Sequence, residues 1–456
     1  MIKFNHDFSS RFRILKGGKV SLVVSALLGS AIISHAAPTG GVVTSGNATI
    51  SQNGNITNVN QSTSKSSINW QGFSINSNET VNFNQTNVNS ITLNRVVGNE
   101  RSVIDGALNA NGQVWILNSN GILFNKNAKV NTAGIVATTK DISDADFQAG
   151  NYKFSGESKA SVVNLGTIEA SESGYVALLA NTVQNDGTIK AYKGTVHLTG
   201  ASEATINLNG NSIVSLTVNK GVLDALVENK GAVIADGGKI YLTTNAVDEI
   251  LKGVVNNTGI LEAKSLDDIT GKVEVFAHGG TANISGTIDA SAPVSGDGGF
   301  IETSGKNVKI SKDTKITTKS ETGKTGTWLI DPVDFTIAAS GGDIDGATLS
   351  ADLSSTDIVI QSSMGSIGMK GDINVNDNVT WTTNKLTLEA EGNININANL
   401  KANSNGSLDM KTGYNGVSYT DTTKSVLVGM NSDGTFKGKV SFYTDAGTTA
   451  RGGAGF

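Results

Sequence analysis

Asn82–Thr139, NFNQTNVNSITLNRVVGNERSVIDGALNANGQVWILNSNGILFNKNAKVNTAGIVATT, reads as a run of short strands with Asn and Gly at the corners. Apolar residues alternate at Ile91 and Leu93, at Val114 and Ile116, and at Ile122 and Phe124. Alternation over a few residues, bounded by Asn/Gly pairs, is a strand signal rather than a helix signal. Asn111-Gly112 and Asn120-Gly121 mark sharp turns, where glycine takes a positive φ at little steric cost. No catalytic constellation stands out in this stretch. It suggests a coil-forming surface with a recognition sequence at one corner.

Composition extends that reading to the whole chain. Of 456 residues, 54 are Gly, 3 are Pro and none is Cys, and 38% are hydrophobic against 16% charged. Enough apolar material is present for a sizeable core, and the profile suits many short strands better than a helical globule or a disordered chain. A formal net charge of −5 argues against a nucleic-acid partner, which needs a basic patch to neutralise phosphates.

The pattern Asn-x-Gly-x-apolar-x-Ala recurs at Asn164–Ala170, Asn185–Ala191, Asn229–Ala235 and Asn257–Ala263, and a variant occupies Ser285–Ala290. The glycines Gly166, Gly187, Gly231, Gly259 and Gly286 are 21, 44, 28 and 27 residues apart, and 44 looks like two of the shorter unit. Most copies lead into a second strand of the form Gly-x-apolar-x-apolar, as in Gly174–Leu178, Gly194–Leu198, Gly238–Leu242 and Gly271–Val275. A period in the twenties with two strands per unit indicates a solenoid. The frame of leucine-rich repeats is missing. Alternate apolar residues should point inward and stack from coil to coil, and the corner asparagines should form amide ladders. With about 22 residues and about 4.8 Å per coil, the mature chain would make a rod roughly 70–90 Å long.

The N-terminus directs export. Lys3, Arg11, Arg13, Lys16 and Lys19 precede the apolar run Val20–Ile33, and Ser34-His35-Ala36 fits the small-x-small rule for cleavage after Ala36. The run is short for a membrane span, which needs about 20 residues. An exported chain without cysteine is held by its core rather than by disulfides; the absence fits threading through a narrow pore, and equally a fold that simply needs no staple.

With Asn60-Gln61-Ser62, Ile68-Asn69-Trp70, Phe73-Ser74-Ile75, Val81-Asn82-Phe83, Leu93-Asn94-Arg95-Val96, Ile104-Asp105-Gly106, Asn111-Gly112 and Ile122-Leu123-Phe124 in view, the first part of the mature chain resembles a known family. It is similar over about 100 residues to the N-terminal secretion domain of two-partner secretion exoproteins, of the filamentous haemagglutinin or high-molecular-weight adhesin type. The family's Asn-Pro-Asn-Gly-Ile corner appears as Asn118-Ser119-Asn120-Gly121-Ile122, with Ser119 where the family carries proline. The resemblance implies an all-β fold, a right-handed parallel β-helix (β-solenoid) with an N-terminal cap. It also implies recognition in the periplasm by the POTRA modules of a cognate outer-membrane transporter, followed by release to the cell surface. The corner would be the address read by the transporter, or a turn that stacks in a ladder. Trp70, Phe73, Asn94, Arg95, Asp105, Gly106, Asn111 and Gly112 would be structural residues of the family motif.

On this basis the chain divides into a signal peptide (1–36), a secretion domain (37–310), a boundary segment (311–324) and the start of passenger repeats (325–456). The segment Gly326–Asp334, with Trp328, Asp331 and Pro332, resembles the point in large adhesins of this family where the passenger begins. Repeats resume at Gly371–Asn376 and Gly392–Asn397, 21 residues apart. The chain stops without the polar capping unit that solenoids need, which points to truncation or to a partner over the open end.

Chemistry-bearing residues are sparse. Beyond the signal region the histidines are His197 and His278, each read as a solvent-facing structural residue rather than a metal or haem ligand. Asp343-x-Asp345-Gly346 hints at a calcium loop, but Ser354 stands where the twelfth-position Glu belongs, so it reads as a polar turn. Asp289, Asp297 and Glu302 fall within one coil length, the kind of cluster that β-helix glycosidases use and that solvated strand faces also produce. Asn-x-Ser/Thr sequons at Asn47, Asn55, Asn60, Asn78 and Asn84 leave glycosylation open. The expectation is a non-enzymatic surface adhesin with no cofactor or metal and with a host receptor or glycan as ligand. A haemolysin or haem-acquisition passenger is the alternative, followed by a carbohydrate-active β-helix.

Overall fold

The computed structural model describes residues 37–245, 253–363 and 370–413, with short pieces at 425–428, 432–433, 435–436, 440–443 and 449–451. The export segment and the junction after Ala36 lie outside the described residues.

Antiparallel strands close the N-terminal end. Val42–Ser45 runs against Lys65–Trp70, and Ala48–Asn53 forms a hairpin with Ile56–Gln61. Parallel pairing starts from these, as Ile56–Gln61 lies beside Thr80–Asn84 and Lys65–Trp70 beside Ile91–Val96. The hairpin and the first strand thus cover an edge whose free N–H and C=O groups would otherwise recruit another chain.

Beyond this cap the chain winds as a parallel β-helix, the all-β architecture expected from the repeats. One ladder runs from Lys65–Trp70 to Ser407–Thr412, every step parallel. Register stacks like upon like: Val176, Val196, Ile240, Val273, Ile301, Trp328, Ile358 and Leu386 superpose coil upon coil, all fully buried. Each aliphatic side chain of the column contributes roughly 1.5–3 kcal/mol by leaving water. The ladder passes through Phe300–Ile310 to Thr327–Asp331, and Lys315–Thr317 pairs with Thr287–Asp289.

The corner asparagines form the expected amide ladder. Asn164 Nδ2 donates to Asn185 Oδ1, Asn185 to Asn229 and Asn229 to Asn257, each at 2.8 Å, and all four are buried. Asn257 ends the column by donating to the Ser285 carbonyl at 2.9 Å. Buried amides are tolerable only when satisfied, and each one here satisfies the next.

The interval from Gly187 to Gly231 proves to be one coil, not two. Thr182–Asn185 pairs directly with Leu226–Asn229, and the surplus residues form the antiparallel strands Glu203–Asn209 and Ser212–Lys220 outside the solenoid. Lys153–Ser155 joins them as a third strand, next to helix α1 (Asp144–Ala149). Ser143 caps α1 by accepting the Asp146 N–H at 3.0 Å, and Gly150 ends it at φ +85°. This side layer covers Leu93, Trp115, Val136 and Ala177, which point away from the solenoid interior and form a second core with Phe147, Tyr152, Phe154 and Ile206.

Other sequence expectations need correcting. His197 is not solvent-facing: it is 5% exposed and stacks on Tyr241 of the next coil at 4.6 Å between ring centres. Burial lowers its pKa to about 3, so it is neutral at physiological pH. Asp345 is a helix cap rather than part of an isolated turn, accepting the Thr348 N–H at 2.7 Å to start α2 (Gly346–Asp352). Asp289, Asp297 and Glu302 are each occupied locally. They engage Lys264, the Lys324 N–H and the Ser304 hydroxyl, respectively.

At the end of α2, Asp352 accepts the Ile316 N–H at 3.1 Å, and burial raises its pKa to about 7. An unfolded aspartate titrates near 3.9. The folded state therefore binds this proton more tightly, and the stability it confers is complete below about pH 4 and lost as pH rises through about 7. Asp331, raised to about 6 by burial and by Glu302, acts in the same direction. Asp352→Asn should flatten the decline and raise stability at pH 8 by on the order of 3 kcal/mol, measured by urea unfolding at pH 5 and pH 8.

Candidate transporter-recognition site

The corner Asn118–Ile122 separates its residues by burial. Asn118 is 1% exposed, and its Nδ2 donates at 3.0 Å both to the Glu100 carbonyl and to Ser102 Oγ. Its Oδ1 accepts the Asn120 N–H at 2.9 Å, an Asx-turn that bends the chain, and Gly121 completes the bend at φ +104°. Ile122 is buried and starts the strand Ile122–Phe124, which lies in parallel register between Ser102–Ile104 and Ser161–Asn164. Ser119 and Asn120 are exposed. The Ser119 carbonyl accepts the Ser158 hydroxyl at 2.6 Å, and Asn120 Nδ2 donates to the Gly98 carbonyl at 2.9 Å. Ser119 thus holds its corner through its main chain, where the family's proline would hold it by ring geometry.

The other motif residues fall into three groups. Trp70 and Phe73 are buried near the cap with their rings edge to face at 5.6 Å, and Trp70 Nε1 donates to Asn94 Oδ1 at 3.0 Å. Asn94 Nδ2 in turn donates to the Trp115 carbonyl at 3.2 Å, linking two coils. At two corners the packing admits only glycine. A Cβ on Gly106 would lie 2.2 Å from the Asn76 carbonyl oxygen, and one on Gly112 would lie 2.8 Å from the Ser90 carbonyl oxygen. Asp105 accepts from Asn127, and Asn111 brackets the Gln85 main chain, accepting its N–H at 2.7 Å and donating to its carbonyl at 2.8 Å.

Arg95 links the solenoid to the side layer. Its Nε donates to Asp141 at 2.9 Å, Nη1 to Asp144 at 2.8 Å and to Asn69 at 3.2 Å, and Nη2 to the Ile142 carbonyl. Burial works against the guanidinium charge, but Asp141 and Asp144 outweigh it and hold its pKa above the ordinary value. Burial likewise pushes Asp144 up, while the Thr44 hydroxyl at 2.7 Å and Arg95 bring it below the usual carboxylate range. Thr44 belongs to the first strand of the cap, so cap, ladder and α1 meet at this point.

Two features went unread in the sequence. Arg95 was identified by its motif, but its acceptors about fifty residues on were not, because nothing local marks an ion pair across the chain. The covered face was also missed. Its signal is Gln113–Leu117, QVWIL, where every residue is buried and alternation is lost because both faces are packed.

The geometry agrees with what comparison with known proteins finds. Two curated relatives are each named Heme/hemopexin-binding protein. One, from Haemophilus influenzae strain Rd, is 38% identical over 173 residues, which is 36% of this chain and 19% of the relative. The other, also from Haemophilus influenzae, is 37% identical over 101 residues, 22% of this chain and 11% of the relative. The matched region spans at most about a fifth of either protein. Among solved structures, the HMW1 secretion domain from Haemophilus influenzae superposes with a TM-score of 0.59 at 25% identity, covering 86% of this chain and all of that one. A TPS (two-partner secretion) secretion-domain family model matches residues 34–290, more than half of the chain, and the chain belongs to that family.

Proposed function

We propose that this chain is the secretion end of a surface exoprotein, passed through the outer membrane by a cognate transporter whose periplasmic POTRA modules read the Asn118–Ile122 corner. The segment 1–36 serves as the signal peptide, 37–310 as the export domain, and the repeats from 325 begin a passenger that binds a host receptor or glycan as an adhesin. The family match and the likeness to the HMW1 secretion domain support the export reading, and the carboxylates that would suggest hydrolysis are tied into local contacts.

The observation that carries the reading is the division at the corner, with Asn118 and Ile122 buried for shape and Ser119 and Asn120 presented to solvent. One turn can then be both ladder and address. Asn120→Ala removes an exposed amide and should cost no more than about 1 kcal/mol in stability. If the corner is the address, secretion from cells carrying the transporter should fall at least tenfold while the melting temperature of the purified protein hardly changes. Asn118→Ala strands several buried partners and should cost roughly 2–4 kcal/mol. Normal secretion of Asn120→Ala would place recognition elsewhere.

Haem acquisition is the second reading, favoured by one groove that lies within the export domain rather than in the passenger repeats. Between the strand Ser212–Lys220 and the solenoid lies a cleft of about 420 Å³ whose lining includes His197, Tyr241, Phe276 and His278. The cleft offers imidazoles and flat aromatic faces together, and His197 Nε2 is buried without a hydrogen-bond partner. Haem titration of the exported protein should then give a shifted Soret band that His197→Ala abolishes, and a spectrum unchanged from free haem would dismiss the groove.

A further inference from the structure

The first described residue is buried in an unusual way. Ala37 is 4% exposed, and its nitrogen donates to Glu79 Oε2 at 3.0 Å. The same oxygen accepts the Asn76 N–H at 2.7 Å. Glu79 is itself only 7% exposed, and no lysine or arginine among the described residues pairs with it. A buried carboxylate facing only neutral donors is poorly compensated. The backbone at Ala37 points the same way. Its φ is +58°, a left-handed conformation costly for a residue with a Cβ and more so before Pro38. Cutting the preceding peptide bond removes the acyl group that fixes this φ, while the restriction from Pro38 remains.

We propose that the chain is hydrolysed between Ala36 and Ala37 and that the α-ammonium released forms a buried ion pair with the Glu79 carboxylate, so that removal of the leader completes the cap. Water adds across the peptide bond, Ala36 leaves as a carboxylate, and the Ala37 nitrogen takes up protons to become the missing cation. The surrounding structure is already suited to it. Thr39 bonds Gly72 and Gln71 from the adjoining segment, which fixes Ala37 two residues upstream. The Asn76–Glu79 turn is closed by the Glu79 N–H to the Asn76 carbonyl at 2.9 Å, and Glu79 also accepts the Ala107 N–H at 3.0 Å from the next coil. The new terminus would therefore bind the rim of the solenoid rather than hang free.

The cut itself rests on the export reading above, and the test separates the two. N-terminal sequencing of the exported protein should give Ala37 first. An exported protein that keeps residues 1–36 overturns both the leader reading and the pair, and one that starts elsewhere overturns the pair alone. The charge is tested by a four-protein comparison: the chain beginning at Ala37 and the same chain with two glycines ahead of it, each with Glu79 and with Glu79→Gln. Glutamine keeps an acceptor for both N–H groups, so it removes the ionic part only. Glu79→Gln should reduce the folding equilibrium constant about tenfold to a hundredfold in the chain beginning at Ala37, and far less in the extended chain, where residue 37 is a neutral amide. Acylation of the α-amine should also be at least tenfold faster in Glu79→Gln than in the parent. Equal losses in both backgrounds, or equal acylation rates, overturn the ion pair.

Discussion

Gly231→Ala is expected to prevent the solenoid from closing. A Cβ built there lies 2.0 Å from the Gly187 carbonyl oxygen and 2.7 Å from the Asp186 carbonyl carbon, both backbone atoms of the coil below. That coil cannot retreat, because the Gly187 carbonyl accepts the Ala232 N–H at 2.9 Å and sits over Gly166 in the same manner. The column continues upward, where a Cβ on Gly259 would be 2.1 Å from the Gly231 carbonyl. One methyl must therefore push two coils apart, separating the neighbouring Asn185–Asn229 amides as well. Overpacking combined with stranded buried amides should cost more than about 3 kcal/mol. Proteolysis of the exported protein should show loss of protection from the strand Leu226–Asn229 onward, while the coils before it stay protected. Gly54→Ala is the contrast: a Cβ there meets nothing within 4 Å, and the positive φ alone should cost about 1 kcal/mol.

Trp115→Ala should have a comparable effect with a different distribution. Trp115 is fully buried beneath the side layer, with ring contacts to Phe147 at 5.5 Å, Tyr152 at 4.8 Å and Phe154 at 5.4 Å. Its Nε1 donates to the Tyr175 hydroxyl at 2.7 Å, which donates to Gln113 Oε1 at 2.7 Å. Removing the indole opens a cavity and leaves a buried phenol short of a donor, a loss of about 3–5 kcal/mol. Val114 and Ile116, on the opposite face of the same strand, still fill the solenoid interior. Limited proteolysis should therefore release 141–156 and 202–220 first, while the strand ladder stays protected. Uniform loss of protection would mean that the side layer and the solenoid fold as one unit.

The solenoid was legible because its determinants are local and repeated. Asn164, Asn185, Asn229 and Asn257 occupy equivalent corners, and the interval between them is the circumference of a coil. The same arithmetic failed at Gly231, because counting residues cannot tell a second turn of the coil from a hairpin placed outside it. Glu203–Lys220 does carry strand-like alternation, but the side on which a strand pairs is decided by tertiary packing. His197 shows the same limit. Its polarity suggested solvent, while its register beneath Tyr241 and the overlying hairpin buries it. At the candidate site the motif located the right corner, and only the structure separates the buried Asn118 from the exposed Asn120.

Because the strands of the coils pair with partners one turn before and one turn after, the ladder is built by adding turns end to end. At the N-terminal end antiparallel strands cover the first coils, so the parallel ladder continues towards the C-terminal side, as in a crystal with one face blocked. Early turns are then expected to seed later ones. A defect such as that at Gly231 should therefore halt assembly at its own level and leave the turns beneath it intact, and the position of a lesion along the chain, more than its chemical severity, should determine how much folded protein survives.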